Sequence, residues 1–155
     1  MIKILKIIFL IALFSTNKAY SMIEIDITRG NLDPLPIAVS PLFQDDKSKK
    51  NSINEIKIEN VGSEISLVVE NNLKTSGLFN PLSKEAFLQK PDIAHLKPRF
   101  EDWALIKAQA LITGKVTIED KKLKVEFRLW DILAGREMMA LAFTTVPSNW
   151  RRVGH

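Results

Sequence analysis

The chain has 155 residues, of which 46% are hydrophobic and 26% charged. This balance is typical of one globular domain and excludes collagen-like, coiled-coil and disordered proteins. The absence of cysteine excludes a disulfide framework, a thiolate metal site and a cysteine nucleophile. The formal net charge is +4, but three lysines lie within residues 1–21, and without them 19 basic residues stand against 18 acidic ones. This near-neutral balance favours neither nucleic acid nor an anionic membrane surface as a partner.

The first 21 residues have the order of a secretory signal peptide. Lys3 and Lys6 precede the unbroken apolar run 7–14, and Ala19 and Ser21 occupy the −3 and −1 positions of a cleavage site. The run is too short to cross a bilayer, which takes about 20 residues. We therefore expect residues 1–21 to be removed and the mature chain to begin at Met22. Because there is no lipobox cysteine, we expect it to be exported without a lipid anchor.

The mature chain opens with a predicted strand. In residues 22–28 three isoleucines alternate with Glu24, Asp26 and Thr28, the period of a half-buried strand. Residues 37–39 are continuously apolar, which predicts a strand buried on both faces. The charged stretch 44–52 contains no apolar residue and predicts an exposed loop, and the alternation in 56–59 suggests a short extra strand.

The central part of the chain predicts two helices. The stronger runs from about Val61 to Ser76, with an apolar stripe at helical spacing, Asn60 as its N-cap and Gly77 at its C′ position. A short strand follows at 78–79. Residues 91–98 are predicted as a loop, and a second helix of about two turns is predicted to begin at Phe100.

The C-terminal part predicts a three-stranded antiparallel meander over residues 111–119, 123–131 and 138–146. We expect the odd-numbered apolar residues from Leu123 to Leu129 to point inward. After Pro147 a helix is predicted to begin at Trp150, capped by Ser148 or Asn149, and it has room for little more than one turn, so we expect the last helix to be truncated. Together these elements predict one α/β (α+β) domain over residues 22–155, a mixed sheet with helices packed on it.

No pattern of catalytic, metal-binding or cofactor-binding residues stands out. His95 and His155 are the only histidines, and neither belongs to a recognisable triad or metal motif. The glycines are isolated and form no phosphate-binding loop. The three tryptophans are expected in the core. The remaining candidate is the strand at the mature N-terminus, which is either an ordinary first strand or a detachable ligand for strand addition.

Seven features of the sequence together have a familiar pattern: residues 25–30, 36–39 and 73–82, Trp103, residues 112–116, residues 128–131 with Gly135, and the closing segment 150–155. In these features the chain resembles the N-terminal domain of the TolB family. The resemblance implies an α/β sandwich in a periplasmic, non-enzymatic protein of the Tol–Pal system, which supports outer-membrane integrity and envelope constriction during cell division.

The resemblance also implies a partner. In the TolB family the mature N-terminus is bound by the C-terminal domain of TolA. By position this site falls on Met22, Ile23, Glu24, Ile25, Asp26, Ile27, Thr28, Arg29 and Gly30. The family's propeller, which binds the peptidoglycan-associated lipoprotein, has no counterpart in these residues, so binding of that lipoprotein is not expected of them.

Two other classes of protein are alternatives. The periplasmic domains of CsgG-like and LpoB-like envelope-assembly factors have a similar order of strands and helices, although they usually carry a lipobox cysteine. A secreted hydrolase is the third possibility, and the sequence offers no pairing of a nucleophile with a base for it.

Overall fold

The computed structural model describes residues 33–155. Its elements, in chain order, are β1 (Leu35–Val39), β2 (Phe43–Gln44), α1 (Asp46–Ile56), α2 (Val61–Thr75), β3 (Phe79–Pro81), a short 3₁₀ helix (Lys84–Ala86), α3 (Pro91–Ala94), α4 (Phe100–Leu105), β4 (Ala110–Glu119), β5 (Lys122–Asp131), β6 (Arg136–Thr145) and a C-terminal 3₁₀ helix (Pro147–Val153).

The six strands form one mixed sheet, as the sequence predicts. Its order is β3-β1-β4-β5-β6, with β2 also paired to β4. β1 lies parallel to both β3 and β4, while β4, β5 and β6 form the predicted antiparallel meander. This arrangement is the expected α+β fold.

Two hydrophobic clusters cover opposite faces of the sheet, because successive side chains of a strand point to opposite sides. The first joins β4 and β5 to α2 and contains Val116, Val125 and Ile65. The second joins β1 and the start of β4 to α4, and it contains Leu111, Trp103 and Trp130. Trp103, Trp130 and Trp150 are all buried, which confirms their expected place in the core.

Helix α2 confirms the clearest helix prediction. The Asn60 side chain caps it by accepting a hydrogen bond from the Ser63 N–H at 3.1 Å. Gly77 follows the helix with φ +72°, the left-handed conformation that glycine adopts without a Cβ clash. Helix α4 confirms the second predicted helix.

The connection between β1 and β2 is fastened to α2 by one hydroxyl group. The Ser66 Oγ accepts a hydrogen bond from the Leu42 N–H at 3.0 Å and contacts the Ser40 carbonyl at 3.2 Å. Close approach of the backbones requires glycine at two positions. A Cβ on Gly62 would lie 2.4 Å from the Leu42 carbonyl oxygen, and one on Gly114 would lie 2.0 Å from the Glu126 carbonyl oxygen.

The prediction of an exposed loop over residues 44–52 is wrong. Helix α1 occupies most of this stretch, capped by the Asp45 carboxylate, which accepts a hydrogen bond from the Ser48 N–H at 2.8 Å. The helix faces the sheet with serines instead of aliphatic residues, since Ser48 and Ser52 are buried. A search for apolar periodicity therefore misses it.

The short extra strand predicted over 56–59 is also wrong. Helix α1 extends to Ile56, and Lys57 ends it in the left-handed conformation with φ 60°. Two further predictions need correction. The loop 91–98 contains the one-turn helix α3. The C-terminal segment forms a 3₁₀ helix beginning at Pro147, not an α-helix beginning at Trp150.

The C-terminal 3₁₀ helix packs closely on the domain. Trp150 belongs to the first hydrophobic cluster. A Cβ on Gly154 would come within 2.9 Å of the Val68 side chain. The Asn72 side-chain amide donates a hydrogen bond to the Gly154 carbonyl at 2.9 Å. The segment is therefore held by α2.

The Asp45→Ala variant tests the cap of α1. The hydrogen bond from the Ser48 N–H lowers the pKa of Asp45, so the cap stabilises the fold above the ordinary pKa of aspartate, about 4, and loses its effect as pH falls through the lowered pKa. We expect the variant to lose about 1 kcal/mol of unfolding free energy at neutral pH and less at acid pH, measured by urea denaturation.

Asp46→Ala, which removes an exposed carboxylate one residue later, is the control. Equal losses in the two variants at every pH would contradict the assignment.

The Ser66→Ala variant tests the fastening of the β1–β2 connection. It leaves the buried Leu42 N–H without its acceptor, and we expect a loss of about 1–3 kcal/mol in urea unfolding. Ser63 lies one turn earlier on the same helix and contributes its N–H to the cap. Ser63→Ala should change the unfolding free energy by less than about 0.5 kcal/mol, and a loss like that of Ser66→Ala would show that the Ser66 hydroxyl has no special role.

Candidate functional site

The partner-binding segment predicted from the sequence, Met22–Gly30, lies outside the described residues. Its strand and its binding role therefore stay predictions. Asp33 and Pro34 lead directly into β1 at Leu35, a central strand of the sheet. The segment is thus tethered a few residues from a rigid anchor.

Within residues 33–155, the strand β6 carries more exposed large apolar side chains than any other element. It pairs with β5 along one side, and no other strand of the described sheet pairs with its outer side. Four large apolar side chains on it are about half exposed: Met138 at 50%, Met139 at 49%, Leu141 at 49% and Phe143 at 44%. Such a contiguous exposed apolar patch is typical of an interaction site.

One face of β6 borders an apolar groove of about 230 Å³. The C-terminal residues 153–155 form part of its wall. Phe143 packs edge-on against Phe127, with ring centroids 6.1 Å apart. The apolar residues that line the groove are Val69, Ile112, Phe127, Leu129, Met139, Leu141, Phe143 and Val153.

The side chains on the other face of β6 are small, and this face borders charged residues of β5. Register pairs place Ala140 beside Arg128, Ala142 beside Glu126 and Thr144 beside Lys124. Lys124 is paired with Glu126 at 2.9 Å, and Arg128 is paired with Glu137 at 2.9 Å. The two faces of this edge therefore differ sharply in chemistry.

Sequence reasoning located β6 but missed its exposure. Residues 138–143 are an unbroken apolar run, and such a run usually marks a strand that is buried on both faces. Here it forms the edge strand, whose exposure is set by the order of strands in the sheet.

The two histidines occupy structural positions. His95 stacks on Phe43 with centroids 4.3 Å apart, and its Nδ1 lies 3.0 Å from the Pro91 carbonyl oxygen. The His155 ring contacts the Asn72 amide at 3.2 Å. In residues 33–155 no three His, Asp or Glu side chains cluster as a metal site, and no helix of this part has the length and apolarity to cross a membrane.

The family follows from a direct match. Residues 23–138 match the TolB amino-terminal domain. The chain belongs to this family. The match begins at Ile23, inside the predicted partner-binding segment, and ends in β6.

A curated relative supports the same assignment. The chain is 70% identical over 152 residues to the Tol-Pal system protein TolB of Pelagibacter ubique (strain HTCC1062). The alignment covers 98% of this chain and 34% of that protein. The chain therefore spans about a third of the length of this relative.

Solved structures show the same fold at low sequence identity. TolB from Acinetobacter baumannii matches with a TM-score of 0.60 and 19% identity, over 79% of this chain and 26% of that one. The lipoprotein GNA1162 from Neisseria meningitidis matches with a TM-score of 0.52 and 17% identity, over 73% of this chain and 81% of that one. The TolB domain fold is thus shared with a lipoprotein.

Proposed function

We propose that this chain is an exported interaction domain of the Tol–Pal system and that residues Met22–Gly30 bind the C-terminal domain of TolA. The observation that carries the proposal is the TolB family match, which includes Ile23–Gly30. The 70% identity to a Tol-Pal system protein supports the same system. The role is binding rather than catalysis, in support of outer-membrane integrity and of envelope constriction during division.

The proposed binding mode is strand addition. Main-chain hydrogen bonds to a sheet edge supply affinity, while Ile23, Ile25 and Ile27 enter alternate pockets of the partner. A slip of one residue would place Glu24 and Asp26 in those apolar pockets, so the alternation fixes the register.

The described domain serves this function as a rigid support. Residues 31–34 link the segment to β1, whose residues Ile37, Ala38 and Val39 are buried. The strand pairs with β3 on one side and with β4 on the other. A ligand strand attached to the centre of a sheet stays tethered while it engages a partner. Binding of the peptidoglycan-associated lipoprotein is not part of the proposal for these residues.

The envelope-assembly alternative rests on fold alone. The lipoprotein match has 17% identity, which says nothing about its activity here. A hydrolase function gains no supporting geometry from the described residues, since neither histidine contacts a serine or a carboxylate there.

Export is tested by the N-terminus of the protein in the cell. Because the basic start, apolar run and Ala19-x-Ser21 site predict cleavage after Ser21, mass spectrometry of a periplasmic fraction should find chains that begin at Met22. A Ser21→Tyr variant, which places a bulky residue at the −1 position, should accumulate uncleaved. Recovery of the unaltered chain at full length in the membrane fraction would contradict the prediction.

Binding to TolA is tested by calorimetry with its purified C-terminal domain. Each isoleucine that becomes buried is worth about 1.5–3 kcal/mol, so Ile25→Asp should weaken the complex by tenfold or more. Leu96→Asp is the control, because it makes the same kind of change at an apolar side chain that is 70% exposed and lies outside the segment, and it should change the Kd by less than about threefold.

A variant that lacks residues 22–30 separates the segment from the rest of the domain. It should show no measurable binding to the TolA domain. Binding equal to that of the intact mature chain would place the interface elsewhere and refute the proposal.

A further inference from the structure

We propose that the outer edge of β6 accepts an extended strand of a second protein partner, with aliphatic residues on one face and two carboxylates, four residues apart, on the other. This acceptor site is distinct from the donor strand Met22–Gly30, and all of its residues belong to the described part of the chain. It would make the domain a donor of one strand and an acceptor of another.

The edge has the properties that strand addition requires. β6 is ten residues long and is bonded on one side to β5. Natural edge strands usually carry lysine, proline or inward-pointing charge to prevent pairing. Residues 138–145 contain none of these, and the register with β5 is regular from Met139 to Thr145. Its outward N–H and C=O groups are a template for another strand.

The apolar face of the incoming strand is set by the groove. Met139, Leu141 and Phe143 point to the groove side and are 44–49% exposed. A strand placed beside β6 would set every second side chain next to these residues, at the usual cross-strand spacing of about 5 Å. Aliphatic side chains at those positions would cover the exposed patch.

The polar face is set by the charges behind the alanines. Arg128 lies behind Ala140 and Lys124 behind Thr144, with only short side chains of β6 in front of them. Each already bonds one carboxylate at 2.9 Å, Arg128 with Glu137 and Lys124 with Glu126, and each keeps further N–H donors for a carboxylate on the next strand. Lys115 lies beside Glu126 on the same face, so these three cations exceed the two carboxylates by one positive charge. The excess positive charge favours an acidic partner.

The spacing of the carboxylates follows from Glu126. It lies behind Ala142, between the two cations, so the partner residue opposite Ala142 should be neutral. The preferred pattern is therefore acid, aliphatic, neutral, aliphatic, acid. The chain's own segment 23–28 has Glu24 and Asp26 only two residues apart, so it cannot set a carboxylate beside both cations at once. The charges thus favour a partner strand over this segment.

The test uses the full chain and three labelled nine-residue peptides. The matched peptide is Thr-Val-Glu-Val-Thr-Val-Glu-Val-Thr, which reads the same in both directions. The second peptide has lysine in place of glutamate. The third has the same composition as the first, with its two glutamates two residues apart. Fluorescence anisotropy gives the three affinities, and amide hydrogen exchange locates the bound peptide on the chain.

We expect the matched peptide to bind at least tenfold more tightly than the lysine peptide and more tightly than its isomer, and to protect amides of residues 139–145. Leu141→Lys should weaken it at least tenfold. Leu133→Lys alters another apolar side chain, 63% exposed at the β5–β6 turn and outside the groove, and should change the affinity by less than twofold.

Three results would overturn the proposal. The first is equal affinity for the glutamate and lysine peptides, or no effect of Leu141→Lys. The second is self-association in sedimentation velocity that Leu141→Lys abolishes, which would assign the edge to a second copy. The third is protection of the β6 amides in the peptide-free chain that Ile25→Asp removes, which would assign it to residues 22–28.

Discussion

The sheet depends on how β4 forms hydrogen bonds along the edge that faces away from β5. A buried strand cannot leave its N–H and C=O groups unpaired, and three different structures share this edge of β4. β1 pairs with residues 110–112 and β2 with residues 115–116. Beyond β2, the Ser48 hydroxyl accepts from the Ile118 N–H at 3.2 Å and the Asn51 amide donates to the Ile118 carbonyl at 2.7 Å. The side chains of α1 thus bond to the edge of β4 beyond the ends of β1 and β2.

The outer edge of β6 differs from this edge of β4. At β4 a helix rich in serine closes the edge, whereas β6 is left with apolar side chains and open backbone groups in the described part of the chain. Within the described residues, the domain therefore covers one edge of its sheet and leaves the other open. Most of the large, fully buried side chains belong to β1, β4, β5 and α2, whereas β6 has exposed apolar side chains along its length. The two proposed binding elements, Met22–Gly30 and β6, thus use the same backbone chemistry in opposite roles.

The alternation of residues predicts the meander, the apolar stripe predicts α2, and the run 37–39 predicts β1, because in each the local period matches the burial that the fold imposes. Helix α1 escaped prediction because serines form its buried face. Ser48 accepts a hydrogen bond from the backbone of β4, 70 residues away, and Ser52 donates one to the Ile58 carbonyl. The exposure of β6 was not predicted for a related reason. It depends on the position of the strand in the sheet, which is a property of the topology. For the proposed donor segment, the sequence supplies the strand pattern, and the proposed partner rests on the resemblance to the family.

The pairing of Ile37 with Ala110 has a consequence for biogenesis. The two residues lie 73 positions apart, so β1 joins β4 only by closing a long loop, and its other partner, β3, has three residues. β4, β5 and β6 are adjacent in sequence, and such local pairings form faster than pairings between distant residues. We therefore expect folding to start from the C-terminal meander, with β1 added later. In the proposed export, the N-terminal part would cross the membrane first, and β1 would wait the longest for its partner strands.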